Sequence, residues 1–159
     1  MKYMDNEHKW IMVLNRKIML PQLFNAAGHL ALGMGSRCHE DVACHFHNYK
    51  DFDGRLVSVI SHWPVVVLQA KNSNQLRTLR SAAIAAGLTC QAFADTMIGE
   101  SAEDQMLKTK ETDEGSIEYF AILLFGKHEQ LHGLTKKFSL FTQPQSASGG
   151  QEITTLDPH

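Results

Sequence analysis

Apolar residues arrive in short bursts along this chain, and their period changes from one burst to the next. Trp10 to Leu14 (Trp-Ile-Met-Val-Leu) is apolar without a break, the pattern of a strand covered on both faces in the middle of a sheet. The following stretch sets Leu20, Leu23, Phe24, Ala27, Leu30, Ala31 and Met34 at helical spacing, with Pro21 suited to the first turn and Gly33 and Gly35 near the end. From Asp41 to Asn48 alternation takes over. Val42, Cys44 and Phe46 fall on one face and Ala43, His45 and His47 on the other, which predicts a half-buried antiparallel strand. Asp51-Phe52-Asp53-Gly54 has turn chemistry, and Leu56 to Ile60 is placed to pair back as a second, weaker strand.

Val65 to Leu68 reads as another buried strand. Asn72 or Ser73 can cap a helix carrying Leu76, Leu79, Ala83 and Ala86, with Gly87 placed to end it in the left-handed conformation. Leu88 to Phe93 follows as a strand. Ser101, with Asp104 three residues on, marks a helix start across an acidic segment. Ile117 to Phe125 predicts a strong strand, Glu129 to Leu134 a short helical turn, and Phe138 to Phe141 a last extended segment. Strands separated by helices imply a three-layer α/β/α domain, and the hairpin-like middle is expected to make its β-sheet mixed. From Thr142 the chain turns polar and small. Residues 1–141 are therefore expected to form a single domain and residues 142–159 a disordered tail.

Composition narrows the class. With 159 residues the chain is long enough for one self-sufficient core, and 43% hydrophobic with 20% charged residues is ordinary for a globular protein. No apolar run approaches the roughly 20 residues of a membrane span, and Met1 to Lys9 lacks the apolar stretch of a signal peptide. A soluble, cytoplasmic protein is the expectation. The net charge of −2 supplies no basic footprint for nucleic acid, which disfavours tRNA as a partner. Three cysteines, Cys38, Cys44 and Cys90, cannot all pair, and are read as thiols rather than staples.

Several stretches, in order, carry a family resemblance. They are Trp10 to Leu14, Asn25-Ala26-Ala27-Gly28-His29-Leu30-Ala31, Asp53-Gly54 leading to Ile60-Ser61-His62-Trp63-Pro64, Phe93-Ala94-Asp95-Thr96-Met97, and Phe125-Gly126-Lys127 leading to Leu134-Thr135-Lys136-Lys137. Over roughly residues 9–141 the chain resembles the type-2 peptidyl-tRNA hydrolase superfamily, and within it the domain-of-unknown-function 2000 family. The resemblance implies that superfamily's fold, a homodimer, and a site in which Asp95, Thr96 and His29 match catalytic positions. It also exposes a departure. Where the family's glycine-lysine run should stand, this sequence reads Met19-Leu20-Pro21-Gln22, so the cation that would stabilise charge on an ester oxygen is absent.

Gln22, Asn25 and His29, three and four apart, share one stripe of the first helix. That stripe is either the polar wall of a cleft or a solvated face. Asp95 ends an apolar run at the carboxyl end of a strand, where it can serve a site or cap a turn. His29 and Asp95 would act as base and orienting partner where the fold brings them within about 3 Å. His62 is family-like in position and is expected to line the same cleft, whereas Trp63 reads as core or cleft wall. Cys38-His39-Glu40 with Cys44-His45-Phe46-His47 is rich in potential ligands but matches no usual zinc spacing, so no metal is assigned. Arg77 and Arg80 read as a solvated basic stripe, and Cys90 as an inert core thiol.

Two functions compete. The first is a binding module whose cleft, lined by Gln22, Asn25, His29, His62 and Asp95, holds a small molecule or peptide-like ligand without cofactor and without cleaving it. The second is an ester hydrolase acting on peptidyl-tRNA or a related conjugate, with Lys17 or Arg16 replacing the missing cation.

Overall fold

The computed structural model describes residues 7–38 and 44–142. The expected tail beyond Thr142, together with His39, Glu40 and Val42, lies outside the described residues. The apolar run near the start becomes β1 (His8–Asn15), and strand alternation divides its side chains between two cores. Trp10, Met12 and Leu14 point to one face, and Ile11 and Val13 to the other. A strand with both faces covered belongs in the middle of a sheet. β1 does lie there, in a five-stranded sheet of order β5-β6-β1-β4-β7.

Helix α1 (Leu20–Arg37) covers the first face through Leu23, Ala26, Leu30 and Met34. Full burial of a leucine or methionine is worth about 1.5–3 kcal/mol, so this stripe holds the helix in place. The stripe is narrower than the sequence pattern suggests. Phe24, expected in the core, is 68% exposed, because it sits about 100° around the helix from Leu23. The chain then forms a hairpin of β2 (Phe46–Lys50) and β3 (Leu56–Ser61) before returning as β4 (Val65–Ala70), parallel to β1.

That hairpin corrects two expectations. It is a separate two-stranded sheet, so the mixed character of the main sheet comes instead from parallel β1 and β4 combined with antiparallel neighbours. Its first strand is also not half-buried: Phe46 and Tyr49 are exposed, as are Leu56, Val57, Val59 and Ile60 of the second.

Helix α2 (Ser73–Ala85) covers the second face with Leu76, Leu79 and Ala83. It starts where Asn72 accepts a hydrogen bond from the Gln75 amide at 3.0 Å. It ends at Gly87, whose φ of 67° is the left-handed conformation glycine adopts without strain. β5 (Thr89–Ala94) pairs antiparallel with β6 (Tyr119–Lys127), which pairs antiparallel with β1. Between them come a 3-10 turn (Asp95–Met97) and α3 (Ala102–Glu111), which buries none of its residues. Helix α4 (His128–Thr135) adds Leu131 to the second core, and β7 (Ser139–Leu140) closes the far edge. Helices thus cover both faces of the sheet. No helix among the described residues is long and apolar enough to cross a membrane.

Candidate functional site

Among the described residues the sheet ends on one side at β5, whose strand partner is β6. Over this edge, on the α1 face, lies an open cavity of about 460 Å³ bounded by α1, β5, the segment after the 3-10 turn and the side of α3. Asn25 and His29 reach it from α1, Gln91 and Phe93 from β5, Met97 from the end of the 3-10 turn and Gln105 from α3. None of its lining residues is a lysine, arginine, aspartate or glutamate. Its polar groups are the three side-chain amides and one imidazole, which offer hydrogen bonds of both senses and no permanent charge. The apolar part is equally specific. The His29 ring stacks on Phe93 with centroids 5.6 Å apart and planes 22° apart.

Two local features shape this wall. A Cβ at Gly33 would stand 2.8 Å from Gln91 Oε1, so the bare helix backbone there is what lets the Gln91 side chain lie against α1. Gln105 donates to the Gly99 carbonyl at 3.0 Å, which holds the start of α3 near the strand edge. Of the sequence-predicted stripe, Asn25 and His29 line the cavity, while Gln22 is exposed and is not among the lining residues. Gln91 and Gln105 were missed. The signal for Gln91 was present as the one amide in the strand, set between Cys90 and Ala92-Phe93.

Asp95 and Thr96 are occupied elsewhere. Asp95 extends the β5–β6 ladder: its amide donates to the Glu118 carbonyl at 3.0 Å, and its Oδ1 accepts the Glu118 amide at 3.0 Å. The carboxylate therefore caps backbone, the turn role that the sequence left open for it. Thr96 is fully buried and shares a 2.9 Å hydrogen bond with Thr109. It lines a different cavity of about 340 Å³, together with Arg80, Cys90, Glu114 and Tyr119. Arg77, expected to be solvated, instead donates to the carbonyls of Glu114, Gly115 and Ile117. Near the start of α1 no side chain caps the helix, and Met19 is 70% exposed. Arg16 lines a further cavity of about 380 Å³ with Leu20 and Phe141.

His62 is not brought to the cleft. It precedes β4, beside the amino-terminal end of β1, where the Trp10 amide donates to the Pro64 carbonyl. Asp95 lies toward the opposite end, where Leu14 pairs with Ala121 and the Asp95 amide reaches Glu118. His62 Nδ1 shares a 2.8 Å hydrogen bond with His47 Nε2, and its ring meets Trp63 edge-on at 4.6 Å. Trp63 is buried, as expected for core. Among the described residues no group of three or more histidines, cysteines or acids is disposed to hold a metal ion. Cys44 packs on the first core, with its Sγ 2.6 Å from that of Cys38.

The family model described as "Protein of unknown function (DUF2000)" matches residues 8–142. Among solved structures, a protein of unknown function from Agrobacterium tumefaciens is similar to this chain with a TM-score of 0.72. It is 17% identical, and the superposition covers 86% of this chain and 98% of that one, a likeness that shows the fold alone. No curated protein matches significantly.

Proposed function

Since the chain belongs to the DUF2000 family of proteins of unknown function, we propose from its geometry that it is a binding protein, whose cavity between α1 and β5 takes a small, uncharged, peptide-like ligand. The observation that carries this is the cavity wall: Asn25, Gln91, Gln105 and His29 around the Phe93 ring, with no formally charged neighbour. Amide groups pair well with other amides, and an uncharged cleft repels no neutral ligand and attracts no polyanion. β5 supports the same reading, since an edge strand can accept an extended peptide as an added strand. The order of elements and the Asn25 to Ala31 and Phe93 to Met97 stretches support a type-2 peptidyl-tRNA hydrolase-like scaffold. Hydrolysis draws less support, because the Asp95 carboxylate caps the Glu118 amide and Pro21 and Gln22 fill the position where the resemblance implies a cation.

The test is an NMR titration with N-acetyl dipeptide amides, beside nucleosides and inorganic phosphate as comparison probes. Peptide amides should shift resonances of residues 91–93 and 25–30, and Asn25→Ala or Gln91→Ala should weaken binding about tenfold, the loss of one or two buried hydrogen bonds. Shifts only with phosphate, or release of peptide from a labelled peptidyl-tRNA analogue, would overturn the reading.

We further propose a homodimer built on the β2–β3 hairpin. Phe46, Val57 and Val59 share one face of the hairpin and all are exposed, with Phe52 fully exposed at the tip, the kind of apolar patch that marks a protein–protein contact. Sedimentation should show a dimer that Val57→Glu dissociates; a wild-type monomer at high micromolar concentration would refute it.

A further inference from the structure

Cys38 and Cys44 stand at the two ends of the connection between α1 and the hairpin. Cys38 caps α1, with its amide on the Met34 carbonyl, and is 6% exposed in the first core. Cys44 is half-buried against that core, two residues before β2. Their sulfurs are 2.6 Å apart. That is well inside the roughly 3.5–4.0 Å at which non-bonded heavy atoms rest, and about half an ångström more than a formed disulfide bond.

We propose that Cys38 and Cys44 are a reversible thiol–disulfide modification site that ties the base of the β2–β3 hairpin to the end of α1. The oxidant is a low-molecular-weight disulfide such as oxidised glutathione. Cys44, the more accessible of the two, attacks one glutathione sulfur, which forms a mixed disulfide and releases one glutathione that takes up the proton. Cys38 then attacks the Cys44 sulfur, closing the protein disulfide and releasing the second glutathione with its proton. Two thiols are oxidised and one glutathione disulfide is reduced, so the exchange balances.

The bond would act on an element whose strands are largely exposed. At its base the hairpin meets the body through the Trp10 indole donating to Ser61 Oγ at 2.8 Å. Under it remains an almost wholly apolar gap of about 160 Å³, lined by Met34 of α1, Phe46 of β2 and Trp10 and Met12 of β1. A covalent tie at Cys44, two residues before Phe46, would hold the chain that brings Phe46 to that gap. Cys90 offers an internal comparison, because it packs on the second core and burial pushes its thiol up, which slows its attack near neutral pH.

The experiment incubates the full chain with oxidised glutathione at neutral pH, alkylates remaining thiols in denaturant, and digests with trypsin. Cleavage after Arg37 and Lys50 leaves residues 38–50 as one peptide that holds both cysteines and no other. The native chain should return that peptide lighter by two hydrogen atoms and unalkylated, with the Cys90 peptide alkylated. Closure should be at least tenfold faster than in the urea-unfolded chain, since the sulfurs already touch. Recovery of two alkylated thiols, of stable glutathione adducts, or of equal rates in native and unfolded chain would overturn the site. Oxidation should also slow amide hydrogen exchange in β2 and β3 severalfold, and unchanged exchange there would overturn the tie to the hairpin.

Discussion

Asn15 shows how much one side chain can carry. It ends β1 at 1% exposure, and its amide bridges two segments: Nδ2 donates to the Tyr119 carbonyl at 3.0 Å and Oδ1 accepts the Lys17 amide at 3.1 Å. Asn15→Ala would strand both backbone groups, so unfolding in urea should show a loss of about 2–3 kcal/mol, more than a surface substitution costs. Tyr119 makes a different prediction. Burial first, then the hydrogen bond to Glu114, raises its phenol above the ordinary value of 10.0, with Arg80 and Arg77 opposing. The folded state thus holds that proton more tightly than the unfolded chain, and the stability it adds is complete below pH 10 and lost as pH rises through the folded value. Tyr119→Phe should flatten the fall in stability above pH 10, measured by denaturation at stepped pH. Neither role was legible beforehand. Asn15 read only as the residue after an apolar run, because the Tyr119 carbonyl that it bridges to lies far away in sequence.

Among the elements, α1 and α3 mark two ways of holding a helix. α1 is held by its buried stripe. α3 buries nothing and depends on its ends, with Ser101 Oγ accepting the Asp104 amide at 3.1 Å and Thr109 bonded to Thr96. Ser101→Ala should cost about 1 kcal/mol, the usual worth of such a cap. The loss should appear as faster hydrogen exchange confined to α3, since few other contacts would carry it further. The caps of α2 and α3, the Gly87 stop and the periods of β1 and α1 could all be read along the chain, because each depends on residues a few positions apart. The first hairpin strand reads as half-buried because alternation states which side chains share a face, and says nothing of whether anything covers that face. The cavity was half legible for the same reason. Asn25 and His29 declared themselves by helical spacing, whereas Gln91 and Gln105 join them only across the fold.

The whole molecule is organised by its middle strands, β1 and β6, whose side chains alternate between two cores. Ile122 faces one core and Leu123 the other. Ile122→Ala should cost about 2–5 kcal/mol. Because Trp10 and Trp63 both belong to the opposite core, their fluorescence should nonetheless be lost in the same transition as the helical signal; two separate transitions would show that the faces fold independently. Local order followed from the chain alone. The α/β class, the place of β1 inside the sheet, the turns and the caps all follow from residue type and short spacing, where sterics and hydrogen bonding act between neighbours. The strand order, the free-standing hairpin, the separation of His62 and Asp95 from the Asn25–His29 wall, and the meeting of Cys38 with Cys44 were decided only by tertiary packing. Those outcomes depend on which distant surfaces exclude water together, and no periodicity along a single strand or helix records its partner.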